Sequence, residues 1–516
     1  MISRLALLAI VGLQALMSLR LRNTAFEDEA LYLYAGRMEI AHLLHGAALQ
    51  GSYASYFSGA PVLYPMLGAA LNAAGGLALA RALSLAEMLA VTTMLYSLTR
   101  CLFNERVALC SAALFAVTES ALFLGHLATF DATCLFLLAC ATTIVVRRPE
   151  SRRQVFLLAA PLATLAVAVK YAGLLFVPTI AVLPVVAVPP GARRRRALLY
   201  PAAFAAVVAA LLYGALRLGG PAYAAAIAGT TTNRAHGAVP ALAILRESAA
   251  WGGVLIALAV AGAVAYTATP RTEPGERIVP PGGRRRRAAL GAVLAGTAFL
   301  APVYQMHLHT DVSLLKHIGF GLFFAAPMAG LGLVRLVGDH FRRPQVGIAL
   351  WSGALVLGMS QSWSLYHAWP SSGALVKALS AYLRPGGRYL VEVPEVPIYY
   401  LLGRADAQPA QFSSTFTITY TSSRGQTLTG NAGFAAAVRA GYFRVVAYDG
   451  DVTPAADAVI ARTLESSRSY QLAEVVALSD SAGPVRYYIW VNGLRPGRPQ
   501  GAAPSLPPQM RLRPSG

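Results

Sequence analysis

Charge is what this 516-residue chain has least of: Asp, Glu, Lys and Arg together make up 13% of it against 56% hydrophobic residues, with a mean hydropathy of +0.53. That balance excludes an ordinary soluble globular chain. Acids are scarcer than bases, 23 against 43, for a net charge of +20. The excess does not describe a nucleic-acid surface, because much of it sits in short Arg clusters between apolar runs, where it reads as a topology determinant. Cysteine is nearly absent. Cys101, Cys110, Cys134 and Cys140 lie in or beside predicted spans and none follows residue 140, which excludes a disulfide framework and a thiolate metal site. No Gly-x-Gly-x-x-Gly follows a strand, and no clear internal repeat is present. Met1 to Leu19 leads into an acidic segment without a clear small-residue cleavage site, so it is expected to stay as a span.

What is there is a succession of apolar runs of about 16–22 residues, near the ~20 that cross a bilayer as a helix. They predict a polytopic α-helical membrane protein with about eleven crossings, near 4–19, 83–99, 107–123, 131–146, 155–171, 173–190, 197–217, 248–268, 288–306, 317–337 and 345–365. With the N-terminus inside, Arg147-Arg148, Arg152-Arg153, Arg193 to Arg196, Arg284 to Arg287 and Arg342-Arg343 all fall on the cytoplasmic side. The apolar stretch Ala60 to Ala80, carrying Pro61, Pro65, Gly68, Gly75 and Gly76, reads as a juxtamembrane element of a first outer loop over 20–82. Other outer loops are a short one before Asp131, one over 218–247 and one over 307–316. The transmembrane domain thus covers 1–366. Residues 367–495 read as a C-terminal soluble α/β domain outside the membrane, with strands at Arg388 to Val393, Phe412 to Tyr420, Phe443 to Tyr448 and Arg486 to Val491, and helices near 372–383, 431–440 and 454–468. The Pro- and Gly-rich tail, 496–516, is expected to be disordered.

Polar groups gather on the outer side. Glu27, Asp28 and Glu29 follow the first span, and an acid there can act as a general base or simply sit at the positive end of a helix dipole. Adjacent helical residues point ~100° apart, so the three do not share one pocket, and Asp28 is the candidate base. Asp131 opens an apolar run; an ionised carboxylate there stays at the interface or faces a polar cavity, since lipid costs it several kcal/mol, and it can cap the helix as well. Glu87 and Glu119 lie deeper in spans and face neighbouring helices. Lys170-Tyr171 closes a span at the outer end, where a Lys can meet an anion or snorkel. Lys316 and His317 stand at the start of a helix, a natural phosphate position, which Arg234 and His236 can join. His307 and His309 at i, i+2 are a weak metal signal.

Phe26-Glu27-Asp28-Glu29-Ala30-Leu31-Tyr32 after the first span, Thr129-Phe130-Asp131, Lys170-Tyr171-Ala172-Gly173 and Ser313-Leu314-Leu315-Lys316-His317 together resemble the GT-C glycosyltransferases, with the protein O-mannosyltransferase and aminoarabinose transferase superfamily as the nearest group. The resemblance covers roughly residues 4–365. It implies transfer, with inversion, of a sugar from a polyprenyl-phosphate carrier to a protein, lipid or cell-envelope glycan acceptor outside the cytoplasmic membrane of a bacterium. It implies roles as well: Asp28, beside Glu29, as the base on the acceptor hydroxyl; Asp131 as a second site carboxylate; Lys316, His317, Lys170 and Arg234 on the donor phosphate. It requires no cofactor and leaves a divalent metal open, along with the sugar and the acceptor.

The chain departs from the eukaryotic protein mannosyltransferases in lacking a tryptophan-rich or repeat-containing outer domain. Two other classes fit the composition: a secondary transporter or lipid-linked sugar flippase, disfavoured by the missing repeat and by polar groups at span ends rather than the midplane, and a membrane scaffold for a binding domain, for which eleven spans are excessive.

Overall fold

The computed structural model of the chain describes residues 2–49, 53, 57–147, 155–187, 194–268, 283–402 and 407–493; Arg148, Arg152, Arg153, Arg193 and the tail 496–516 lie outside them. The chain divides into two compact units, Met1–Arg22 with Ala35–Tyr366, and Asn23–Tyr34 with His367–Gly516.

The first unit is helical: α1 (Ile2–Ser18), most of α2 (Glu27–His45), α3 (Tyr64–Leu102), α4 (Glu105–Ala116), α5 (Glu119–His126), α6 (Phe130–Arg147), α7 (Ala160–Val169), α8 (Val177–Ala187), α9 (Arg194–Thr230), α10 (Ala241–Ala268), α11 (Arg284–Gly296), α12 (Leu300–Leu308), α13 (Leu314–Val337) and α14 (Pro344–Tyr366). Among the described residues, six helical segments are long and apolar enough to cross a membrane, seven if the pair α4 and α5, bent by 66°, makes one span. The eleven expected segments are reached with the three shorter apolar helices, Ile2–Ser18, Leu157–Val169 and Tyr171–Ala187, and the 23-residue α14. This is a multi-pass membrane protein.

At 39 residues, α3 would measure about 58 Å if straight, far beyond the ~30 Å of a hydrocarbon core. It is broken at Gly75 and Gly76, where Gly76 takes φ 69°, a left-handed conformation that side chains resist. The stretch Ala60 to Ala80 therefore supplies a helical piece ahead of the break rather than a straight continuation of the next span. Helix α13 is the hub, 89% of its most apolar window being buried. Glycines set its distance from its neighbours: a Cβ on Gly332 would run into the Leu258 carbonyl of α10, one on Gly262 into the Met328 carbonyl of α13, and one on Gly330 would come within 2.6 Å of the Val107 carbonyl of α4. Small residues at such contacts let backbones touch where hydrophobic burial drives nothing.

The second unit holds α15 (Gly373–Ser380), β1 (Tyr389–Val391), α16 (Glu395–Leu401), β2 (Phe412–Ser414), β3 (Thr419–Thr421), β4 (Thr427–Thr429), α17 (Gly430–Arg439), β5 (Val445–Tyr448), α18 (Pro454–Glu465), β6 (Tyr470–Asp480) and β7 (Gly483–Asn492). Its main sheet runs β2-β1-β5-β7-β6, parallel where β1 meets β2 and β5, antiparallel through β7 and β6. Both faces are covered. Tyr389, Val391, Val445 and Ile489 pack with Leu375, Leu379 and Leu401; Leu390, Val446 and Trp490 pack on the other face with Phe434, Val438, Ile460 and Leu464, the period-two alternation of a sheet between two helical layers.

Two readings of this region change. The single strand expected over Phe412 to Tyr420 is two, β2 in the main sheet and β3 in a hairpin with β4, because the chain leaves the sheet at Thr415, whose hydroxyl is held by that of Thr453. The long edge strand β6 had no sequence counterpart: a bulge between Leu472 and Glu474 breaks its alternation.

Candidate active site

Asp131 stands in the first turn of α6 and is fully buried. A buried carboxylate needs partners, and its partners are two of the chain's three lysines. Lys170 Nζ forms a buried ion pair with Oδ1, and Lys316 Nζ lies 3.9 Å from Oδ2. Each ammonium also faces an aromatic ring, Lys170 that of Phe130 at 4.8 Å and Lys316 that of Phe123 at 5.9 Å, which favours cations held away from water.

Local backbone explains why these lysines point inward. Lys170 ends α7 in an extended conformation (φ −146°, ψ 119°) before the tight helical stretch Tyr171–Phe176, so its side chain leaves the helix direction. The flanking backbone is pinned by Ala60 N–H donating to the Ala168 carbonyl at 2.8 Å and Tyr171 N–H to the Ser58 carbonyl at 2.7 Å. Gly59 passes so close to the Val169 carbonyl that no Cβ fits. Lys316 and His317, both buried, sit in the first turn of α13. That helix begins at Ser313, held at φ 64°, a conformation non-glycine residues rarely adopt; Gln305 fixes the loop by donating to the Val312 carbonyl at 2.8 Å. The loop of Arg234 is tied in as well, through Gly237 N–H to Leu308 O and Val239 N–H to His309 O, each 2.9 Å, and Arg234 stands within electrostatic reach of His317. Lys170, Lys316 and His317 are thus brought together around Asp131, two permanent cations against one carboxylate, and Arg234 acts electrostatically on His317. Such a surplus attracts an anion.

His236 stacks edge-on with His307 at 5.7 Å, and His309 turns its Nδ1 to the Val239 carbonyl, 3.3 Å away. Among the described residues no group of three His, Cys, Asp or Glu is arranged to hold a metal. Deeper in the unit, Glu87 accepts the Thr133 hydroxyl at 2.8 and 3.0 Å, and Glu119 is buried in the first turn of α5.

The acidic triplet belongs to the second unit. All three acids fall in the first turn of α2. Glu29 is fully buried and its Oε2 accepts the Phe26 N–H at 2.9 Å, half of a capping box, so its role includes starting the helix. Asp28 is half-buried. The segment leading to it is stitched to the C-terminal residues: Asn23 Nδ2 donates to the Trp369 carbonyl at 2.7 Å, Trp369 Nε1 to the Thr24 carbonyl at 3.0 Å, Ser372 N–H to Thr24 Oγ1 at 3.0 Å, and Ala25 N–H to the Tyr400 hydroxyl at 2.8 Å. The Phe26 ring packs on Trp369 at 5.0 Å. One neighbour was missed in the sequence. Glu395, at the start of α16, has its carboxyl pushed up by burial, with the charge of Asp28 acting in the same sense. Nothing in Glu392-Val393-Pro394-Glu395 marks it as a companion of a residue so distant in the chain.

Residues 61–216 match the family model described as dolichyl-phosphate-mannose-protein mannosyltransferase. No curated protein matches the sequence. Among solved structures, the chain is similar to ArnT from Cupriavidus metallidurans bound to undecaprenyl phosphate, at 14% identity and a TM-score of 0.55, over 96% of this chain and 98% of that one. It is also similar to the Archaeoglobus fulgidus oligosaccharyltransferase complexed with zinc and sulfate, at 14% identity and a TM-score of 0.53, over 93% of this chain and 72% of that one. At such identities the likeness is one of fold. Extending over nearly the whole chain, it shows that this chain has the GT-C fold.

Proposed function

We propose that this protein transfers a sugar from a polyprenyl-phosphate carrier to an acceptor hydroxyl on the outer side of the cytoplasmic membrane, with inversion at the anomeric carbon. The observation that supports this most is the convergence of Lys170, Lys316 and His317 on the buried Asp131, with Arg234 within electrostatic reach of His317. The leaving group of such a reaction is a phosphate whose charge grows in the transition state, and preformed cations in a site shielded from water stabilise that charge without reorganising. Asp131 then acts as the counter-ion that holds both ammonium groups in place before the donor arrives. The structure with undecaprenyl phosphate bound to a protein of this fold agrees with a lipid-phosphate donor.

Asp28 is the base. The acceptor oxygen attacks the anomeric carbon, the bond from that carbon to the phosphate oxygen breaks, the hydroxyl proton passes to the Asp28 carboxylate, and polyprenyl phosphate leaves. Glu29 fixes the helix turn that presents Asp28, and the bonds from Trp369, Ser372 and Tyr400 fix the strand of chain before it. The acceptor is a protein, a lipid or an envelope glycan.

The test is sugar release from a panel of polyprenyl-phosphate monosaccharides by the purified protein with a crude envelope fraction as acceptor, wild type beside Asp28→Asn, with and without chelator. Transfer by the wild type and a loss of about 10²–10⁴-fold in Asp28→Asn is expected. Full turnover in a folded Asp28→Asn removes the base, and no turnover with any donor removes the reading.

A further inference from the structure

Between α2 and α3 the chain passes the end of α7 as a short strap, residues 57–65, which is fastened on two sides. On the side of α7, two backbone bonds bracket Val169 and Lys170: Ala60 N–H donates to the Ala168 carbonyl at 2.8 Å and Tyr171 N–H to the Ser58 carbonyl at 2.7 Å. On the other side, the Pro65 carbonyl stands so close to Gly36 of α2 that a Cβ there would overlap it. Phe57 is buried, and Leu63 N–H donates to the Ala60 carbonyl at 3.2 Å, so the strap turns at Pro61. Gly59 faces Lys170 from inside the bracket. A Cβ on it would run into the Val169 carbonyl and come within 3.5 Å of the Lys170 Cα. Any side chain at position 59 must therefore push the strap off the backbone of Lys170 or shift that backbone.

We propose that Gly59 is a positioning residue for the donor phosphate: through the strap it holds Lys170 in the extended conformation that aims its ammonium at Asp131 and at the phosphate of a polyprenyl-phosphate ligand. This rests on the reading of the cationic group as a phosphate site. The conformation needs holding. Lys170 leaves the helical region at φ −146° and ψ 119°, and its own peptide groups are tied to the helical turns on either side, its N–H donating to the Ala166 carbonyl and its carbonyl accepting the Gly173 N–H, each at 2.9 Å. The next amide, that of Tyr171, is the one the strap takes. Released from Ser58, that amide is free to turn, and the Lys170 ψ turns with it. The ammonium sits at the end of a flexible four-carbon stem, so a small rotation at its root carries it out of hydrogen-bond range of a fixed partner. A site that stabilises charge by preformed cations depends on such placement. With only Gly at position 59, the strap can lie against Lys170 closely enough to make both bracketing bonds.

The lysines make the placement observable. The chain has three, Lys170, Lys316 and Lys377; the first two are 2% and 8% exposed and Lys377 is exposed. Full-length wild type and Gly59→Ala in lipid nanodiscs are labelled with acetic anhydride, read at each lysine by peptide mass spectrometry, and titrated with undecaprenyl phosphate and, separately, with undecaprenol, which lacks the phosphate. In Gly59→Ala, labelling of Lys170 relative to Lys377 is expected to rise several-fold while that of Lys316 stays as in the wild type. Undecaprenyl phosphate is expected to bind about tenfold or more weakly, and undecaprenol as before. Where Gly59→Ala does not fold, Ala60→Pro takes its place with the same expected pattern: it deletes the N–H given to Ala168 and suits the extended backbone that Pro61 imposes on residue 60. Unchanged Lys170 labelling in a folded variant overturns the proposal, as does an equal rise at Lys170 and Lys316, which reports general loosening. Selective exposure of Lys170 with full affinity for undecaprenyl phosphate overturns it through the phosphate reading alone and leaves the hold of the strap on Lys170 standing.

Discussion

At the scale of the residue, the buried pair between Lys170 and Asp131 is the feature most exposed to test. Removing one partner of a buried ion pair strands the other charge and costs about 3–5 kcal/mol, whereas replacing both with apolar residues of similar size is often neutral. Asp131→Ala is therefore expected to lower the thermal midpoint of the purified protein strongly, and Asp131→Leu with Lys170→Met to recover most of that loss while remaining inactive. A double variant as unstable as the single one would mean that Asp131 is held mainly by Lys316, 3.9 Å away. The sequence located Asp131, Lys170, Lys316 and His317 at ends of apolar runs but could not pair them. Pairing depends on which helices adjoin, and on the extended backbone at Lys170 and the left-handed Ser313, neither of which has a composition or a period.

At the scale of the element, the start of α2 is set by its ties to the C-terminal residues. Tyr400→Phe deletes the acceptor of the Ala25 N–H, and an orphaned donor costs about 1–3 kcal/mol. If Asp28 is the base, loosening its approach segment is expected to lower kcat several-fold and leave the KM for the lipid-linked donor unchanged; an unaltered kcat in steady-state kinetics would show that the tie is dispensable. A second element-level outcome concerns the loop between β5 and α18. The Glu392 carboxylate accepts the N–H groups of Asp449 (2.6 Å), Gly450 (3.3 Å), Val452 (2.8 Å) and Thr453 (3.0 Å), filling the place at the carboxyl ends of parallel strands where open α/β sheets bind ligands. Asp449 beside it is pushed up to about 7, first by burial and then by Glu392. A carboxyl with a raised folded-state pKa stabilises the fold below its unfolded range near 4 and loses that contribution as pH climbs through about 7. Amide exchange over residues 389–492 is thus expected to quicken between about pH 4 and 7 beyond the intrinsic rate, by up to the order of 2–4 kcal/mol in opening free energy, and Asp449→Asn to flatten the dependence.

At the scale of the whole molecule, the membrane class and the order of its apolar segments were legible because both follow from hydropathy and from arginine placement, signals carried by composition over about 20 residues. The parallel strands β1 and β5 were legible for a similar reason, being short and apolar on both faces. What was not legible is the division of the chain: Asn23–Tyr34 groups with the residues from His367 on through side-chain hydrogen bonds and ring contacts such as that of Phe26 with Trp369, which leave no periodic trace. Orientation is where sequence and structure make a joint prediction. The arginines Arg342 and Arg343 follow the turn at Asp339 between α13 and α14, and the positive-inside rule puts that turn in the cytoplasm. On that expectation α14 leads outward, and the residues after it, including Ser466 at the end of α18, are expected outside. Both Asp339 and Ser466 are exposed, so each can carry a reporter. With the four native cysteines replaced by alanine, Ser466→Cys is expected to react with a membrane-impermeant maleimide on intact cells and Asp339→Cys only after lysis. Labelling of position 339 from outside would invert the membrane orientation. The cationic cluster around Asp131 would then open to the cytoplasm, and an acceptor outside the cell could no longer be its substrate.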